Sequence, residues 1–68
     1  MSNLDDKYKG LEELTKGTKE WREAIEEINN IVLDLIEEYP ELAAYMKIDT
    51  DGIMRIDTES QEVQAILN

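Results

Sequence analysis

The spacing of apolar residues changes twice along this 68-residue chain. From Glu20 to Tyr39, the residues Trp21, Ala24, Ile25, Ile28, Ile31, Val32, Leu35, Ile36 and Tyr39 recur at helical spacing. At 100° per residue they fill an arc of about 140°, which predicts a long amphipathic helix. Thr18 is placed to cap its start, and Pro40 disfavours helical conformation at Tyr39 and so ends it. Upstream, Leu4, Tyr8, Leu11 and Leu14 keep the same period, Ser2 and Asp5 can form a capping box, and Gly17 suits a left-handed residue at a helix end. These signals predict a first helix of about three turns. Pro40 also suits the first position of a short helical turn through Ala44.

Beyond Tyr45 the period becomes that of strands. Two short apolar runs, Tyr45 to Ile48 and Ile53 to Ile56, flank Asp49-Thr50-Asp51-Gly52, the signature of a β-hairpin. A two-residue Asp51-Gly52 loop would pair Ile48 with Arg55 and scatter the apolar residues. A three-residue Thr50-Asp51-Gly52 loop with Gly52 in a left-handed bulge pairs Ile48 with Met54 and Met46 with Ile56, giving one apolar face. That register leaves Tyr45, Lys47, Asp49, Ile53, Arg55 and Asp57 outside. Thr58 and Gln61 read as a second capping box, opening a terminal helix whose Val63, Ile66 and Leu67 share a face. The expected fold is α+β, a single small domain over residues 1–68. Its order is helix, long helix, short helical turn, hairpin and helix, with the hairpin and terminal helix packed on the long central helix.

Size and composition narrow the chemistry. A chain this short buries only about 60% of the surface its unfolded form exposes, which leaves little room for an internal active-site cavity. Cysteine and histidine are both absent, removing thiolate and imidazole metal sites, catalytic triads and disulfides. Only carboxylates remain for acid–base work, and on the outside of an amphipathic helix they have no pocket to separate their pKa values. The Asp49-Thr50-Asp51-Gly52 string resembles part of a calcium loop. Aligned on Gly52, however, such a loop would have Lys47 in its first ligand position and Thr58 in its twelfth, so a hairpin turn is the better reading. No Gly-rich phosphate loop is present. The expectation is a non-enzyme with no metal and no cofactor. A cysteine-free chain with neither a basic-then-apolar leader nor a run of some 20 apolar residues is expected in the cytoplasm.

Charge suggests how the chain meets its partners. Seventeen acids against seven bases give a net charge of −10, which repels phosphate backbones and anionic membranes alike. Half the excess lies in residues 18–39, with seven acids and two bases. Glu20, Glu23, Glu27, Asp34, Glu37 and Glu41 gather opposite the apolar arc, and carboxylates in such a row can imitate phosphates and occupy the basic groove of a nucleic-acid-binding protein. The leading expectation is a non-catalytic protein-binding module, of the kind a virus or mobile element encodes as an inhibitor, that engages a basic protein through this stripe. The alternative is a self-associating structural or adaptor protein, a homo-oligomer whose acidity serves only solubility. Its contacts would be Leu33, which lies outside the apolar arc, together with Tyr45 and Ile53 on the hairpin's outer face. Trp21 is expected to anchor the core.

Overall fold

The computed structural model describes residues 2–67, and the side chains of residues 4–67. Helix α1 (Ser2–Glu12) leads through a turn into α2 (Lys19–Glu38). A 3-10 helix (Pro40–Tyr45) follows, then strands β1 (Met46–Ile48) and β2 (Met54–Ile56), then α3 (Gln61–Leu67). The fold is α+β, with α1 and α3 packed on the long α2 and β2 lying against it. The 20 residues of α2 span about 30 Å at 1.5 Å per residue, which sets the 34 Å long axis of the molecule.

Every helix and the hairpin contribute to one core. Leu4, Tyr8 and Leu11 enter it from α1, Ile28 and Val32 from α2, Leu42 from the 3-10 helix, Ile53 and Ile56 from the hairpin, and Val63 from α3. Trp21 packs against this cluster from the first turn of α2 while keeping part of its surface in water.

The local signals act largely where the sequence places them. The Thr18 hydroxyl accepts the Trp21 amide at 3.3 Å and caps α2, and Tyr39 ends that helix just before Pro40 opens the 3-10 turn. Gly17 is left-handed at φ +89°, but α1 stops at Glu12. Gly17 serves instead in a turn closed by the Thr18 amide on the Thr15 carbonyl, and Leu14 is left at the surface. The capping box read at Ser2 rests on a side chain outside the described residues, and Asp5 takes a different partner, the Thr58 hydroxyl. Thr58 therefore does not cap α3. That helix starts later, with Ser60 accepting the Gln64 amide at 3.0 Å through its carbonyl and donating its hydroxyl to Glu62 at 2.8 Å.

The hairpin has the register that the three-residue loop requires. Met46 faces Ile56, Lys47 faces Arg55 and Ile48 faces Met54. Asp49 accepts the Gly52 amide at 3.0 Å and donates to the Ile53 carbonyl at 3.1 Å, with Gly52 at φ +83°, the geometry of a bulged turn. The facing of two side chains differs from the alternation argument. Ile53, expected outside, is 3% exposed and belongs to the core, while Ile48, expected inside, is 59% exposed. Ile53 follows the left-handed glycine and precedes β2, so strand alternation does not govern it. Ile48 lies on the strand away from α2, where none of the described elements covers it.

Candidate functional site

Three surfaces could carry function: the outer face of α2, the region around Leu33, and the hairpin. Glu20, Glu23, Glu27, Asp34, Glu37 and Glu41 are all exposed. Helical geometry adds Glu26 and Glu38, also exposed, to the same side. Seven carboxylates thus occupy about 27 Å of α2, one per about 4 Å, against one phosphate per about 3.4 Å along one strand of a nucleic-acid duplex. They form two groups, Glu20 to Glu27 and Asp34 to Glu38, with the exposed Asn30 between them.

The two groups differ electrostatically. In the first, Glu27 receives Lys7 of α1 at 2.6 Å and Glu23 lies 3.8 Å from Lys19. In the second, no ion pair within 4 Å reaches Asp34, Glu37 or Glu38 among the described residues, and the same holds for Glu41 just beyond. The negative potential is therefore least compensated at the C-terminal end of α2, where the helix dipole adds its own negative end.

Leu33 is 49% exposed, apart from the core. Tyr45 is half-buried and packs on the core from one side. Ile53 is filled into the core, so of the three apolar contacts expected from sequence only Leu33 and part of Tyr45 present surface to a partner. The face of the hairpin bearing Tyr45, Lys47, Asp49 and Arg55 borders an open groove of about 660 Å³.

Two residues whose roles the sequence pattern does not reveal organise the hairpin. Asn29, on the rim of the apolar arc of α2, donates its side-chain amide to the Gly52 carbonyl at 2.9 Å and accepts the Met54 amide at 2.8 Å. The Tyr8 hydroxyl donates to the Met54 carbonyl at 2.7 Å and accepts the Ile56 amide at 3.1 Å. Together they act as a third strand along the outer edge of β2. The available signal was chemical: a tyrosine at a core position of a helix needs a partner for its hydroxyl. Desolvation raises the pKa of Tyr8 against the opposing pull of the Ile56 amide and the Arg55 charge, so the hydroxyl keeps the proton that it donates. The Arg55 guanidinium sits 5.3 Å from the centre of the Tyr8 ring.

The acids of the turn are committed to structure. The Asp49 carboxylate accepts the Asp51 amide at 2.9 Å, the Ile53 amide at 3.2 Å and Arg55 Nε at 3.0 Å. Partial desolvation pulls its pKa up, but the bonds from Arg55, Ile53 and Asp51 outweigh that and hold it below the usual value. Asp51 pairs with Lys16 at 3.0 Å. Among the described residues no three carboxylates converge as a metal site would require, and no helix is long and apolar enough to cross a membrane. Comparison of the chain with protein-family models, with curated proteins and with solved structures gives no match.

Proposed function

We propose that this chain is a non-catalytic protein-binding module that presents the outer face of α2 to a basic surface on a partner protein. The observation that carries this reading is the run of seven exposed carboxylates on one helix, at nearly the linear charge density of a nucleic-acid strand, with its C-terminal group left without an ion pair among the described residues. A groove built for phosphates offers lysine and arginine at comparable spacing. An acidic helix in that groove gains association rate from steering and specificity from charge complementarity. On this reading the chain acts in the cytoplasm as an inhibitor or modulator of a nucleic-acid-binding protein, the kind of device a virus or mobile element encodes.

The test is capture of basic proteins from a lysate on the immobilised chain, followed by competition of each captured protein between the chain and a short duplex DNA. The chain should displace the DNA, and its affinity should fall as salt shortens the screening length from about 10 Å at 0.1 M to about 3 Å at 1 M. The discriminating variant reverses Asp34, Glu37 and Glu38 to lysine, because those carboxylates hold no ion pair among the described residues. Its melting temperature should stay close to that of the parent, while affinity falls at least tenfold. Unchanged affinity of the triple variant, or indifference to salt, overturns the proposal.

A further inference from the structure

The backbone bonds of the hairpin divide its strands into inward and outward positions. The Asp49 amide reaches the Ile53 carbonyl at 3.1 Å, and the Tyr45 carbonyl receives the Asp57 amide at 3.4 Å. Residues 45, 47 and 49 therefore aim their backbone groups at β2, and Met46 and Ile48 aim theirs at the opposite edge. The Met46 amide turns back to the Ala43 carbonyl. Among the described residues the Met46 carbonyl and both backbone groups of Ile48 have no protein partner. The edge carries no proline and no bulge, and Ile48 is 59% exposed at its centre. The other edge of the same hairpin is closed by Asn29 and Tyr8.

We infer that the open edge of β1 pairs antiparallel with the β1 edge of a second copy of this chain, about a two-fold axis at Ile48, joining two hairpins into a four-stranded sheet. Side-chain order selects this occupant and this register. Ile48 is preceded by Lys47 and followed by Asp49, so the strand is self-complementary when it runs antiparallel to itself about Ile48. The two isoleucines exchange both amide–carbonyl bonds. Each Lys47 comes opposite the partner copy's Asp49, on the face bearing Arg55. A two-fold axis at Lys47 would instead set lysine against lysine.

Net charge does not forbid the pairing, because β2 separates β1 from α2 in each copy. Three strand spacings, about 14 Å, lie between the two β2 strands alone, more than the Debye length of about 8 Å at physiological salt. The contact is short and the dimer correspondingly weak. Self-association is read on the chain alone, with no basic partner present, so the two proposals fail separately.

The chain lacks cysteine, which permits a direct test by cross-linking. Hydrogen-bonded antiparallel residues have Cα atoms about 5.5 Å apart, within disulfide range. The Ile48→Cys variant should convert under mild oxidation to a species of twice the 7.9 kDa chain mass, much faster than Leu33→Cys, which exposes a thiol at a comparably accessible surface position. In parallel, light scattering on the parent from about 10 µM to about 1 mM should show mass rising toward the dimer by mass action. Ile48→Lys should remain at monomer mass while retaining the parent's melting transition. A parent that stays monomeric across this range, equal cross-linking of the two cysteine variants, or a dimer that survives Ile48→Lys overturns the inference.

Discussion

Along the β2 side of the hairpin four consecutive backbone polar groups, from the Gly52 carbonyl to the Ile56 amide, meet side chains from α1 and α2. Along the β1 side the Met46 carbonyl and both groups of Ile48 meet none among the described residues. The strands are equally short and lie in one ladder, so intrinsic strand preference does not separate them. What differs is the neighbour. Two-stranded hairpins are marginal alone in water, and this one gains a substitute third strand from two helical side chains on one edge only. Stability is concentrated at β2 and availability at β1.

Tyr8→Phe should break the comparison most severely. It keeps the ring in the core but removes the one oxygen that serves both the Met54 carbonyl and the buried Ile56 amide. Leaving buried backbone groups unpaired costs about 1–3 kcal/mol, and for a domain of this size each kcal/mol moves the melting temperature by about 4–8 °C. A loss near the upper end is expected by thermal melt, and a shift under about 3 °C would show that water replaces the hydroxyl readily. The raised pKa of Tyr8 adds a signature in pH. A folded-state value above the unfolded one favours the protonated folded form, so the contribution is full below the ordinary tyrosine value and is lost as pH rises through the raised value. Stability measured across alkaline pH should show this additional decline in the parent and not in the phenylalanine variant.

Asn29→Ala should come next, at about 1–2 kcal/mol, because the Gly52 and Met54 groups it serves are more accessible to water than the Ile56 amide. Its local effect is easier to detect than its global one: amide exchange at Met54 should accelerate more than at Val32. Equal acceleration at both sites would mean that Asn29 supports the fold as a whole and not the edge of β2.

Gly52→Ala acts on the turn that joins the two edges. A Cβ built at Gly52 meets nothing within 4 Å, so the entire cost is the left-handed backbone at φ +83°, about 1 kcal/mol. A melt identical to that of the parent would show that the bulge relaxes to another turn without penalty.

Legibility from sequence follows the range of each interaction. The caps and stops of α2, the left-handed glycines and the hairpin register are decided by residues a few positions apart, and the amino-acid pattern reveals them. Thr58 shows where this stops: its spacing to Gln61 looks like a cap, yet its hydroxyl is taken by Asp5, 53 positions away. Ile48 and Ile53 exchange their expected surroundings for the same reason, since a three-residue strand next to a bulge carries too little alternation to identify its buried face. The acidic face is readable because helical spacing alone generates it, and the same spacing extends it to Glu26 and Glu38. Which half of that face is neutralised depends on Lys7 of α1, a contact 20 positions distant.

The smallest effect belongs to the open edge. Ile48 and Ile56 are the same residue type in the same ladder, but Ile48 is 59% exposed and Ile56 is 4% exposed. Threonine at either position keeps the β-branched shape suited to a strand while replacing apolar surface with a hydroxyl. At Ile56 that hydroxyl would enter the core, and a loss of about 1–3 kcal/mol is expected. At Ile48 it meets water, and the change should stay within about 0.5 kcal/mol, as for other surface substitutions away from specific contacts. Both melts belong at low micromolar concentration, where weak self-association contributes nothing, so that the comparison reports the monomer alone. A loss above about 1 kcal/mol for Ile48→Thr under those conditions would show that the β1 edge is already covered within its own chain, and an edge so covered could not pair with a second copy.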